Sequence, residues 1–242
     1  MATTTVTTTR PKIASEIDVE APPEGDVDIA AAAALMADPS RAAVLTALTD
    51  GRALPPSELA EVAGVSRSTM SEHLSKLAAA GFLAVERGGR NRYYRLSGPE
   101  VATAVEALAA LAPRTPVRSL RQAKRAGALG AARTCYGHLA GRLGVGITDA
   151  LVDRGLVERE AEVFLLTDSG TAFLEDLGIE RPPRAGKACN DWSERRPHLA
   201  GKLGVALATR LFELDWIRRT DRPRAVQLSD EGRRELAARL QI

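Results

Sequence analysis

The sequence predicts a mainly α-helical protein with small β-hairpin wings: an N-terminal winged helix-turn-helix, then a C-terminal region built from a duplicated helix-wing-helix unit. Residues 38 to 96 carry two short helical patterns separated by Gly64, followed by an alternating segment with an arginine-rich tip. An octapeptide beginning at His138 recurs at His198 with seven of eight positions identical. An apolar fraction of 45% over 242 residues is enough for real hydrophobic cores.

Residues 1–27 are rich in Thr, Pro and acid, have no apolar period, and read as a disordered tail. The winged domain is expected over 28–112. An alanine-rich helix spans about Asp28 to Met36, and Asp38-Pro39 breaks it. Ser40 is expected to cap a helix carrying Val44, Leu45 and Leu48 on one face, with Gly51 as its stop. Pro55 and Pro56 open the next helix, and Gly64 supplies the turn. Phe82 to Val85 and Arg92 to Leu96 alternate as two strands, and Gly88-Gly89 suits a hairpin turn. Pro99 to Leu111 reads as another helix. Pro113 and Pro116 mark a linker with some helix over 113–130.

Ser66 is placed to cap the helix that follows Gly64, because its hydroxyl can accept a first-turn N–H. Val65 and Met70 form a hydrophobic staple across that cap. Met70, Leu74 and Leu77 recur at i, i+4 and i+7 and face the core. At about 100° per residue, Ser68, Ser71, Glu72, Ser75 and Ala79 point the other way. That small, polar outer face can sit close to base edges in a major groove. Arg87, Arg90, Asn91 and Arg92 at the hairpin tip suit phosphate or minor-groove contact. The candidate DNA-binding residues are therefore Ser66, Arg67, Ser68, Ser71, Glu72, His73, Ser75, Arg87, Arg90, Asn91 and Arg92. His73 lies at the edge of the core face, where packing and backbone contact are both open.

The remainder contains the repeat. His138-Leu-Ala-Gly-Arg-Leu-Gly-Val145 matches His198-Leu-Ala-Gly-Lys-Leu-Gly-Val205, and Leu166-Thr-Asp-Ser-Gly170 matches Leu228-Ser-Asp-Glu-Gly232. Repeat 1 is placed at 131–180 and repeat 2 at 188–242. Each unit reads as helix, short strand or hairpin, helix. Leu139, Leu143, Ile147 and Leu151 recur every four residues, so one continuous helix opening at the histidine is expected.

Residues 35 to 96 resemble the winged-helix repressors of the ArsR/SmtB family. The motifs are Leu35-Met-Ala-Asp-Pro-Ser-Arg41, Val65-Ser-Arg-Ser-Thr-Met-Ser-Glu-His-Leu-Ser-Lys-Leu77, Ala80-Gly-Phe-Leu-Ala-Val85 and the Arg87-Gly-Gly-Arg-Asn-Arg-Tyr-Tyr94 wing. The resemblance covers about a quarter of the chain. It implies a homodimer, double-stranded DNA as partner, a recognition helix at about 66–80, and repression controlled by a ligand or metal. Metal-sensing members place Cys in the helix before the recognition helix and Asp or His after the wing. Here 53–64 has neither Cys nor His, and 99–111 offers only Glu100 and Glu106. Any signal must enter elsewhere.

Apart from His73, every Cys and His lies by the repeats: Cys135, His138, Cys189 and His198. Two thiols and two imidazoles can complete a tetrahedral zinc site or ligate haem iron, and the thiols alone can sense oxidants. The Cys positions do not correspond, lying three and nine residues before their histidines, so capping or core packing stays open. Tyr136, Trp192 and Trp216 lie near the same segments and mark either an effector pocket or anchors in a core or interface.

Six acids and two bases in the first 30 residues leave −4 there; a total of +2 puts +6 on the rest. Two Cys argue against a disulfide framework and fit a cytoplasmic location. No apolar run reaches about 18 residues, so no membrane span is expected, and the N-terminus lacks a signal core. Residues 117–242 show no Gly-rich loop after a strand, which weighs against an enzyme carrying this winged helix as a module. The balanced charge weighs against a non-specific architectural DNA-binding protein.

Overall fold

The computed structural model describes residues 27–113, 116 and 118–242. The acidic, Thr-rich tail expected over 1–27 lies outside them except for Val27. The N-terminal part runs α1 (Ile29–Ala37), α2 (Pro39–Leu48), α3 (Pro56–Ala63), α4 (Arg67–Ala79), β1 (Leu83–Gly88), β2 (Asn91–Leu96) and α5 (Pro99–Leu111). Asp38 caps α2, not Ser40: its carboxylate accepts the Arg41 N–H at 2.9 Å, and Pro39 occupies the first helical position. Proline needs no N–H partner there, so the cap moves one residue ahead of it. Gly64 closes α3 in the left-handed conformation, and Ser66 caps α4 through the Thr69 N–H.

The hairpin β1–β2 is longer than expected. It pairs Leu83 with Leu96 through to Gly88 with Asn91, leaving Gly89-Arg90 as the turn. Leu54 bridges to Tyr94 as a short third strand. Val44, Leu45, Leu48, Leu59, Met70, Leu74, Leu77, Leu83 and Leu96 form the core beneath, so the face read from Met70, Leu74 and Leu77 is buried.

After α6 (Leu120–Ala131), inside the expected linker, come β3 (Arg133–Cys135), β4 (His138–Ala140), α7 (Gly141–Asp153), β5 (Val157–Glu160), β6 (Val163–Leu166) and α8 (Asp168–Asp176). Then follow β7 (Ala185–Asn190), β8 (Pro197–Ala200), α9 (Gly201–Glu213), β9 (Ile217–Arg219), β10 (Val226–Leu228) and α10 (Asp230–Leu240). Each half is therefore hairpin, helix, hairpin, helix, rather than helix, wing, helix. The continuous helix expected from Leu139 to Leu151 is broken at its start: His138 and Leu139 belong to a strand. Both octapeptides pass from strand to helix at their fourth residue, Gly141 and Gly201, with φ of +76° and +69°. A left-handed residue there turns the chain from strand into helix, a conformation glycine adopts without Cβ strain.

The two halves interlock. β5, β6, β7 and β8 form one antiparallel sheet, with β6 of the first half paired to β7 of the second. Thr148 on α7 accepts the Leu199 N–H of β8 at 2.8 Å. Glycines let the helices close on the hairpins: a Cβ at Gly144 would lie 2.4 Å from the Leu139 carbonyl oxygen, and one at Gly204 would lie 2.3 Å from that of Leu199. Leu139, Ile147, Leu151, Phe164, Leu203, Leu211, Trp216 and Ile217 share a single core.

Gly144→Ala and Gly204→Ala should each cost about 1–3 kcal/mol, because the obstacle is backbone that cannot rotate away. Gly146→Ala, with nothing within 4 Å of its Cβ, should gain about 0.5–1 kcal/mol from helix propensity. Denaturant melts of the three variants check this ordering.

Candidate nucleic-acid interface and metal centre

Cap and staple orient α4 so that Ser66, Arg67, Ser68, Ser71, Glu72 and Ser75 are all exposed. Ser66 Oγ contacts Ser68 Oγ at 2.8 Å and Thr69 Oγ1 at 2.9 Å, which fixes the hydroxyls of the first turn. His73 differs. It is half-buried, with Nδ1 3.9 Å from Asp38 Oδ1 at the start of α2. On the wing, Arg87, Arg90, Asn91 and Arg92 are exposed. Arg87 stands directly across the ladder from Arg92. Like charges opposite one another are unfavourable in an isolated hairpin and favourable against an anion. No ion pair to Arg67, Arg87, Arg90 or Arg92 occurs among the described residues, whereas Arg95 pairs with Glu86.

The Cys/His set comes together. Cys135 is paired with His138 across β3–β4, and Cys189 with His198 across β7–β8. The unequal sequence gaps reflect only unequal loops, Tyr136-Gly137 in one hairpin and 191–196 in the other. Neither histidine opens a helix. One ligand atom from each of the four residues lies within 4.8 Å of the others, and His138 Nε2 is 3.1 Å from His198 Nε2. His138, His198 and Cys135 are buried, and Cys189 is partly exposed. Contact with Cys189, reinforced by burial, pushes the Cys135 thiol up; the same contact holds the Cys189 thiol below its ordinary value.

The surroundings hold these groups in place. His198 Nδ1 faces Asp191 Oδ2 at 3.5 Å. Asp191 accepts from the Ser193 N–H, the Ser193 hydroxyl and the Gly141 N–H, which ties the second loop to the start of α7. Fully buried Arg133 pairs with Asp191 at 2.9 Å and lies against the Trp192 ring. Burial by itself would raise the Asp191 carboxyl; Arg133, Ser193 and Gly141 outweigh it and hold the group well below the usual range. The three aromatics do not line one pocket. Trp192 stacks on Arg133, Trp216 is in the C-terminal core, and Tyr136 packs against the N-terminal core.

The two parts are joined by Tyr136, which the sequence marks as a pocket or anchor residue, and by Asp50 and Glu106, which it does not mark as functional. Tyr136, at the tip of β3–β4, donates its N–H to the Thr49 carbonyl at 2.5 Å. Asp50, 1% exposed, accepts from Thr134 Oγ1 and pairs with Arg52 and Arg219. Buried Glu106 on α5 pairs with buried Arg224. The pairing of Asp50 with groups 84 and 169 residues away leaves no local signal.

An open recognition helix beside a basic wing defines the class: a DNA-binding transcriptional regulator. A helix-turn-helix domain model, HTH_20, matches residues 36–86. The uncharacterized HTH-type transcriptional regulator YdfF of Bacillus subtilis is 41% identical over 212 residues, spanning 85% of this chain and 94% of YdfF. The HTH-type transcriptional regulator CmtR of Mycobacterium tuberculosis is 39% identical over 70 residues, 29% of this chain and 58% of CmtR. Among solved structures, NolR from Sinorhizobium fredii is similar over 34% of this chain and 81% of its own, at 32% identity and a TM-score of 0.32. The chain belongs to the family of HTH-type transcriptional regulators that includes YdfF. No helix among the described residues is long and apolar enough to cross a membrane.

Burial pushes the Asp50 carboxyl up, but Thr134, Arg219 and Arg52 hold it below its ordinary value on balance. A depressed folded pKa gives stability that is complete above the unfolded value, about 3.9, and is lost as pH falls through the folded one. The parent should therefore lose stability more steeply than Asp50→Asn below about pH 4. Denaturation midpoints at stepped pH measure the difference, and parallel curves would contradict it.

Proposed function

We propose that the protein is a dimeric, sequence-specific repressor whose recognition helix enters the major groove of an inverted repeat while the wing holds the backbone. The supporting observation is the pairing of an exposed hydroxyl-rich face on α4 with wing arginines that have no acidic partner among the described residues. Ser68 and Ser71 read bases. Arg67, Arg87, Arg90, Asn91 and Arg92 bind backbone or minor groove, with Ser66, Glu72 and Ser75 at the edges of the contact. His73 acts mainly by orienting the start of α2.

For the dimer, α1 is IAAAAALMA with no buried residue, and α5 exposes Leu108 and Leu111 at 48% and 83%. Apolar helices left open in one copy suit coverage by a second. The two C-terminal halves are a tandem duplication of one hairpin–helix–hairpin–helix unit, so each contributes one Cys–His pair to a shared centre.

That centre takes a thiophilic divalent cation, zinc first. Tetrahedral S2N2 coordination needs nitrogens about 3.3 Å apart, close to the separation of the two Nε2 atoms. Two thiolates neutralise the dication, which suits a buried site. A carboxylate behind an imidazole, as Asp191 stands behind His198, is the usual support of a metal-bound histidine. Haem is a poorer fit, since its axial ligands bind on opposite faces of a macrocycle whereas these four converge on one point. Burial of Cys135 disfavours oxidant sensing as the primary role.

Arg90→Ala with Arg92→Ala should weaken binding to every duplex sequence and reduce the slope of log K against log salt by up to about two units. Salt titrations by fluorescence anisotropy give that slope directly. An unaltered slope and affinity would take the wing out of the interface. Replacing Ser71 by a bulky residue should change base preference, with each contact worth about 1–3 kcal/mol, as read by selection from a random duplex pool.

A further inference from the structure

We propose that metal held by Cys135, His138, Cys189 and His198 controls DNA binding through the tip of the β3–β4 hairpin, which works as a strut between the metal centre and the end of α2. This rests on the reading of that cluster as a metal site. Cys135 and His138 are cross-strand partners separated only by Tyr136 and Gly137. Those two residues form the hairpin turn, with φ of 47° and 91°. Two successive left-handed residues make the tight turn that closes a two-residue hairpin, and a non-glycine in the first position is held there against its preference. The restraint comes from outside the hairpin. The Tyr136 N–H reaches the Thr49 carbonyl at 2.5 Å, and the side chain packs against the core that contains Leu45, Leu48 and Leu74.

Ligand and strut are therefore adjacent residues on a rigid turn. At the Thr49 end there is no slack. Gly51 has φ of +83°, and a Cβ there would lie 3.1 Å from the Gly137 nitrogen. Thr134, on the other side of Cys135, binds buried Asp50, so the strand carrying the first ligand is fixed to the α2 terminus by two separate contacts. Leu45 and Leu48 of α2 pack with Met70, Leu74 and Leu77 of α4, so a shift of the α2 end reaches the recognition helix through packed side chains.

The second pair of ligands comes from β7–β8 in the other half of the C-terminal region, whose loop residue Asp191 pairs with Arg133 of β3 and accepts the Gly141 N–H. Metal bonds across the two hairpins lock β3–β4 against β7–β8. Without the cation the hairpins are joined at this point by the imidazole contact, the thiol contact and the Arg133–Asp191 pair, and none of these ties Cys135 and His138 to Cys189 and His198 as four bonds to one ion would. The docked arrangement leaves α4 and the wing open, so the metal-loaded form is the DNA-binding form, and metal loss lowers affinity. Only a difference in affinity between two states can produce such a response, and coupling of this kind typically amounts to about 5- to 150-fold.

The test uses the full-length protein loaded with zinc, and a duplex selected by that loaded protein from a random pool. Elemental analysis reads occupancy, and anisotropy reads DNA affinity before chelation, after chelation and after zinc is returned. One zinc per chain is expected, with affinity falling at least about fivefold on chelation and recovering on re-addition. Tyr136→Gly keeps all four ligands and suits the left-handed turn. Only the side-chain packing against the winged-domain core is lost, because the backbone N–H to Thr49 and the Thr134–Asp50 contact remain, so it should keep its zinc and respond to chelation more weakly than the parent. Failure to retain zinc under any loading condition would overturn the metal reading itself. Zinc retained with DNA affinity indifferent to its removal would leave the site standing and overturn the coupling. A Tyr136→Gly protein that responds to chelation like the parent would overturn the strut.

Discussion

Two imidazole nitrogens held 3.1 Å apart in a buried space, with two sulfurs beside them, are the constraint around which the C-terminal region is arranged. Keeping them there takes the interlocked sheet, the glycines that bring α7 and α9 onto the strands, and the Asp191–Arg133 pair behind one ring. Each half supplies one hairpin and one helix to this arrangement, and neither half closes the centre alone.

The same hairpins make the C-terminal region continuous with the winged helix. Asp50 and Glu106 are buried carboxylates whose cationic partners, Arg219 and Arg224, come from the far end of the chain. Removing one partner of a buried pair typically costs about 3–5 kcal/mol, because the remaining charge is left uncompensated. The two parts are therefore held in one arrangement by contacts on α2 and α5, while α4 and the wing stay clear of them.

How much of this is visible in the sequence depends on whether the signal is local. The turn at Gly64, the Ser66 cap and the Met70–Leu74–Leu77 stripe are local, and helix, core face and open face follow from them. The repeated octapeptide marks positions that fold alike, but its leucines at every fourth residue imitate a helix across the point where strand becomes helix. Gly141 and Gly201 carry that transition, and a glycine four residues into an apolar run has several readings. The Cys–His pairing is hidden further, because equivalence lies in the cross-strand register and not in the spacing. An Asx-type turn at Asp191 fills the longer second loop and restores the register. The junction through Tyr136 and Asp50 is wholly non-local, and positive φ at a tyrosine leaves no mark in the sequence.

Zinc X-ray absorption on the full-length protein, purified without added metal chelator and loaded with one equivalent, tests the centre most directly. Two sulfur neighbours at about 2.3 Å and two imidazole nitrogens at about 2.0–2.1 Å are expected. A shell of oxygen and nitrogen without sulfur, or zinc that fails to stay bound through gel filtration, would contradict a centre shared between the two hairpins.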